Sequence, residues 1–158
     1  MSLLEINGRK GLKLIFDCEK PEKLMGDVSL YGLTQDEVKK ALKKPFFVKK
    51  DLYMLVNYKD KGHCVKIPAN YRWNGANIPP CFWLLIGQKE SPRLKLPSCV
   101  HDFLCENHNV IDNDRYLSTL IFETLCNHFG KFNAFKRWSM FHSVDNYQKV
   151  FGKWKKSK

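Results

Sequence analysis

The chain has 158 residues, 44% of them hydrophobic and 13% aromatic, which is enough for one domain with a core and too few for two independent ones. Its 27 Lys and Arg against 16 Asp and Glu leave a formal charge of +11, which attracts nucleic acid or an acidic partner and says nothing about fold. No run reaches the roughly 18–20 apolar residues of a membrane span, and the opening MSLLEINGRK lacks the apolar stretch of a secretion signal, so we expect a soluble intracellular product.

From the N-terminus, LLEINGRKGLKLIFD alternates well enough for a short hairpin turning at Asn7-Gly8 or Arg9–Gly11. TQDEVKKALKK reads as a helix. Thr34 is its N-cap, Glu37 completes a capping box, Pro45 ends it, and its lysines line the wet side. FFVKKDLYMLVNY and HCVKIPANYRW are strand-rich runs joined by KDKG, a hairpin loop by length and composition, so the sheet is mainly antiparallel. Beyond Leu84 the periodicity becomes helical, over about 92–107, 113–129 and 132–151. Asp112 or Asn113 caps the middle helix and Gly130 stops it. The expected fold is therefore α+β, one domain over 1–158, with a small antiparallel sheet in the N-terminal half packed against about three C-terminal helices.

The six cysteines mostly have apolar neighbours, and without a secretion signal a disulfide framework has no oxidising compartment to form in; small buried thiols are expected. His101, Cys105 and His108 recur at helical spacing and, with Cys126 or His128, would bring nitrogen and sulfur ligands together for zinc. Against this, there is no CxxC knuckle and His108 falls past the expected helix end. We expect no metal and no cofactor.

The stretch RWNGANIPPCFWLLIG is the most constrained in the chain. Asn74-Gly75 suits a turn needing positive φ, Asn77 caps the next turn, and Pro79 with Pro80 fixes the backbone. Such a loop would hold Phe82 and Trp83 as a wedge over the helix bearing His101, and we assign these residues to a structural clamp. Two further surfaces stand out. Lys39, Lys40, Lys43 and Lys44 beside Phe46 or Phe47 form a basic-aromatic stretch able to grip phosphates and stack a base. Phe132, Phe135, Trp138, Phe141, Val144, Tyr147 and Val150 recur every third residue, a stripe that circles a helix and calls for cover from a protein partner.

Together, IPANYRWNGANIPPCFW, LPSCVHDFLC, DRYLSTLIFETL and YQKVFG resemble the bacteriophage and prophage family known only as domain of unknown function 1353, over about residues 65–152. Gly75, Ala76, Pro79, Phe82, Trp83, His101, Asp102, Arg115 and Phe122 match that family's pattern. Asn74, Asn77, Pro80 and Thr119 depart from it, two of them replacing aspartates. In the family, a His-Asp pair with an aspartate from a second helix is similar to the phospholipase A2 arrangement. The resemblance thus implies His101 as a general base and Asp102 beside it, in a hydrolase. Here Thr119 stands where the orienting aspartate would be, and a hydroxyl accepts a hydrogen bond without stabilising an imidazolium. A calcium site would need six to eight oxygens, and no carbonyl-rich loop supplies them.

The sequence favours a phage structural or assembly protein (virion, tail or connector component), made in the host cytoplasm. Its partners would be phage structural proteins or itself, reached through Phe135, Trp138, Phe141 and Tyr147. A hydrolase, and a binder directed at a host protein or nucleic-acid complex, are the alternatives.

Overall fold

The computed structural model describes residues 3–73, 94–130, 138, 139, 141 and 142. Its architecture is α+β, and the strands of the N-terminal half form two antiparallel sheets rather than one. The larger has the order β1-β2-β5-β6, from Leu4–Asn7, Lys13–Phe16, Leu52–Tyr58 and Lys61–Ile67; the smaller has the order β3-β4-β7, from Met25–Asp27, Phe46–Val48 and Arg72–Trp73. FFVKKDLYMLVNY therefore breaks at Lys49–Asp51, its first three residues joining one sheet and its last seven the other.

Both expected hairpins form, the first at one of its two expected turns and the second with a correction. The first turns over Arg9–Gly11, closed by the Gly8 amide donating to the Leu12 carbonyl at 2.8 Å, with Lys10 and Gly11 at positive φ. The second is tighter than KDKG suggests, because Tyr58 pairs with Lys61 and only Lys59 and Asp60 turn, both at positive φ. Two successive left-handed residues match the twist of antiparallel strands, and neither of them is glycine or asparagine.

Helix α1, Gln35–Lys43, begins at the expected capping box. The Glu37 amide donates to the Thr34 hydroxyl at 3.3 Å, and the Thr34 amide donates to Glu37 Oε2 at 2.8 Å. Its last carbonyls are satisfied from the smaller sheet, where Arg72 donates to the carbonyls of Lys44 (2.7 Å) and Ala41 (3.3 Å). Of its own side chains, only Ala41 is buried.

Helix α2, Lys95–Glu106, packs Leu96, Cys99, Val100, Phe103 and Leu104 into the core. A 3-10 turn, His108–Ile111, leads through two left-handed residues, Asp112 and Asn113, into α3, Arg115–Gly130. Neither Asp112 nor Asn113 is the cap: the carboxylate of Asp114 accepts from the Leu117 amide at 3.0 Å, because a residue in the left-handed region cannot also present the extended N-cap geometry. Gly130, the expected stop, is the last described residue of α3, and the residues after it lie outside the described ones.

Every residue of α3 from Leu117 to Cys126 is buried, including Ser118, Thr119, Glu123 and Thr124. The three hydroxyls are satisfied within the helix, donating to carbonyls three or four residues back, Ser118 and Thr119 to Arg115 and Thr124 to Leu120. Over this stretch α3 is buried all round. Of the circling stripe of 132–151, Trp138 and Phe141 are described, in helical conformation.

Among the described residues, Trp73 is the largest fully buried side chain. Its ring lies 5.7 Å from Phe46 and is stacked at 6.3 Å on Tyr71, and its indole N–H donates to Ser98 Oγ on α2 at 3.0 Å. This contact ties the smaller sheet to the helices. The thiols divide: Cys99 and Cys126 are buried, Cys18 and Cys105 half-buried, and Cys64 is exposed on the outer side of β6, contrary to the expectation of burial.

Candidate functional site

The expected His-Asp site lies on the third turn of α2. Neighbours on a helix point about 100° apart, and the two side chains accordingly serve different surroundings. His101 faces α3, its ring 5.0 Å from that of Phe122, with Cys105 Sγ 3.8–3.9 Å from its nitrogens. Asp102 adds its charge on the other side, near Tyr71 and Cys99. Burial pushes the Tyr71 phenol well above its ordinary range, and the carboxylates of Glu106 and Asp102 push it further. The phenol donates to Glu106 at 3.1 Å. Burial also raises the Cys99 thiol, again with help from Asp102, so it is held neutral and poorly nucleophilic.

Thr119, at the position of the orienting acid, turns its hydroxyl back to the Arg115 carbonyl at 3.2 Å. His108 leaves the helix and bonds to Asn113, which separates it from His101 and Cys105. Among the described residues no three His, Cys, Asp or Glu side chains come together as a metal site. The clamp residues Asn74, Gly75, Asn77, Pro79, Phe82 and Trp83 lie outside the described residues, as do Phe135 and Tyr147.

Of the lysine set, Lys39, Lys40, Lys43 and Lys44 are all exposed on or beside α1, as expected. Phe46 is not available to them for stacking a base: it is buried against Trp73, with the ammonium of Lys95 over its ring at 5.2 Å.

A second constellation, absent from the sequence reading, is built where the first hairpin turn meets α3. Gly8 permits the approach, because a Cβ there would overlap the Thr124 hydroxyl. Arg9 then reaches Glu123, its Nε 2.6 Å from Oε1 and its Nη2 2.9 Å from Oε2, a two-pronged pair across 114 residues of sequence. The glutamate side chain is 5% exposed and the arginine 51%. The hydrogen bond to Glu123 raises the Arg9 pKa above its already high ordinary value. The same guanidinium sits 5.2 Å over Phe141, and the Lys10 ammonium 4.9 Å over Tyr116.

These groups, with Trp138 and His142, line a half-open hollow of about 410 Å³. Trp138 is 60% exposed and Phe141 6%, although one helical turn separates them. The signal that could have located this hollow was faint: a glycine before two basic residues at a turn, and a lone carboxylate in the interior of a helix whose one Lys or Arg is its first residue, Arg115.

Fold and site define a small α+β protein in which a histidine-aspartate helix packs on a second helix that is buried from Leu117 to Cys126. The profile of the family described as Protein of unknown function (DUF1353) matches residues 50–144, more than half of the chain, and the chain belongs to that family. No curated protein and no solved structure matches it. The matched segment holds β5, β6, β7, α2 and α3 together with Trp138 and Phe141, whereas Arg9 and Lys10 precede it. No helix among the described residues is long and apolar enough to cross a membrane.

Proposed function

We propose that the chain is a bacteriophage-encoded structural or assembly protein that acts through protein-protein contacts, made in the host cytoplasm and carried into the particle or its precursor. The observation that carries this reading is the division of the last aromatic stripe. Phe141 is spent on the core while Trp138, one turn away, is 60% exposed. Tryptophan is the residue type most often found at the energetic centre of an interface, and its exposure leaves much of its apolar area for a partner to cover.

The hydrolase reading is weaker on geometry. A general-base histidine is best served by an anion on its second nitrogen, and the family position that would supply one here holds Thr119, whose neutral hydroxyl can accept a hydrogen bond but carries no charge to stabilise an imidazolium. Phe122 and Cys105 flank the imidazole, which suits a packed histidine better than a water-activating one.

Mass spectrometry of purified particles of the encoding phage tests the proposal. The chain should be present in a fixed ratio to the known capsid and tail proteins, and its absence from both particles and assembly intermediates would overturn the reading. Loss of a hydrolytic activity in a folded His101→Ala variant would favour the enzyme instead.

A further inference from the structure

Lys13 pairs with Asn57, so the turns Arg9–Gly11 and Lys59–Asp60 stand side by side at one end of the larger sheet. Lys10 consequently borders two hollows. One is the aromatic hollow of about 410 Å³ that holds Tyr116, Trp138 and His142. The other is an open trough of about 530 Å³ along the second turn, lined by Lys59 and Lys61 as well as Lys10, with the Lys59 ammonium 5.3 Å over the Tyr58 ring.

We propose that these adjoining hollows bind a nucleoside phosphate, either free or as part of a single strand, with the base against Trp138 and the phosphate on Lys10 and the trough lysines. Three features carry this. The volume of the aromatic hollow falls within the roughly 300–1,000 Å³ of small-molecule sites. An exposed indole beside ammonium groups is the combination that holds unpaired bases, because every base has a π-face and every linkage a negative charge. The fixed pair of Arg9 and Glu123 closes the floor of the hollow, its own charge spent, so the attraction comes from lysines at the rim. Asp60 borders the trough, and Lys61 lies 3.9 Å from Asp112, so the local excess is modest; the chain's formal charge of +11 supplies the longer-range pull. Beside the lysines of α1, Phe46 is buried and Phe47 half-buried, so neither offers a ring as open as Trp138.

Fluorescence anisotropy of the full chain with a labelled oligothymidylate, repeated over a salt series, tests the site. Trp138→Ala should weaken binding by about 5- to 100-fold with the salt slope unchanged, as expected for a lost stacking contact. Lys10→Gln, which keeps the aliphatic stem, should lower the slope by about 0.7, the share of one phosphate contact on a single strand. Urea midpoints confirm that both variants fold. Competition by a nucleoside monophosphate separates the two sources: displacement at comparable concentration identifies a free nucleotide as the ligand, and displacement only by the oligomer identifies a strand. No binding by the wild type would overturn the proposal. So would binding that survives both variants, including binding lost only on combined alanine replacement of Lys39, Lys40, Lys43 and Lys44.

Discussion

Trp73 and Trp138 set two regions of the molecule against each other: the first is 1% exposed and the second 60%. Trp73 sits on β7, the last strand of the smaller sheet, with α2 across it, and that helix supplies a hydroxyl for the indole N–H. Trp138 comes after the buried helix α3, on the rim of a hollow whose other walls include charged groups. Ring size and hydrophobicity are identical in the two cases. What differs is how far the surroundings enclose the ring: Phe46, Tyr71 and α2 close over Trp73, whereas Trp138 has the imidazole of His142 at 4.7 Å and still keeps more than half of its surface in water. The interior of this chain is therefore set by the sheet-helix seam, and the aromatic content of the C-terminal segment is not all core.

The largest expected effect is at the seam. Trp73→Ala should cost about 3–5 kcal/mol in urea denaturation, the usual range for removing a buried aromatic ring, which is a large share of a small domain's stability. A cost below about 1 kcal/mol would dissolve the contrast between the two regions.

Next comes the joint between them. Arg9→Ala leaves the Glu123 carboxylate buried without the guanidinium that holds it, and we expect a loss of about 2–3 kcal/mol. This is less than for a fully buried pair, because Arg9 is half exposed and partly screened. Adding Glu123→Gln to the Arg9 variant should recover much of that loss, since a neutral amide costs less to bury. If the double variant is no better than the single, the joint is held by packing on Phe141 rather than by charge.

The sequence made the local devices legible. The capping box and the first hairpin turn each depend on a few adjacent residues, and both form: the box at Thr34 and Glu37, and the turn over Arg9–Gly11, one of the two that the sequence offered. The His-Asp helix was legible from motif spacing, as was the family. What escaped depends on distant partners or on a one-residue choice of backbone. Glu123 reads as a stray charge until a turn 114 residues away delivers Arg9. The Asp112, Asn113, Asp114 run offers three good caps, and only the left-handed conformation of the first two selects the third. The strand run at Phe46 divides between two sheets because Trp73, far along the chain, pairs with its first residue. The local devices are also the smaller contributors: Thr34→Ala should cost about 1 kcal/mol, the usual worth of an N-cap, and should melt α1 before the sheets. Amide exchange in 35–43 that speeds up while β5 stays protected would verify this, and uniform loss of protection would mean that α1 is bound into the core more firmly than its single buried residue suggests.

The smallest expected effect on stability is the most informative about function. Trp138→Ala removes a ring that is already 60% in water, so the urea midpoint should move by no more than about 0.5 kcal/mol. Phe141, one turn on, is 6% exposed and lies 5.5 Å from Tyr116, so the same truncation there should cost several times more. Stability alone would then rank Trp138 as dispensable. Association should reverse that ranking, because an interface draws its energy from rings that the folded chain leaves uncovered, and truncating a central one typically costs about 2 kcal/mol or more of binding. Light scattering across a concentration series, run on wild type and on each variant beside chemical denaturation, reads both quantities together. We expect the wild type to self-associate, Trp138→Ala to stay folded but shift towards monomer, and Phe141→Ala to lose stability first. A strictly monomeric wild type with Trp138→Ala costing as much stability as Phe141→Ala would place the indole in the chain's own core and remove the surface on which the assembly reading rests.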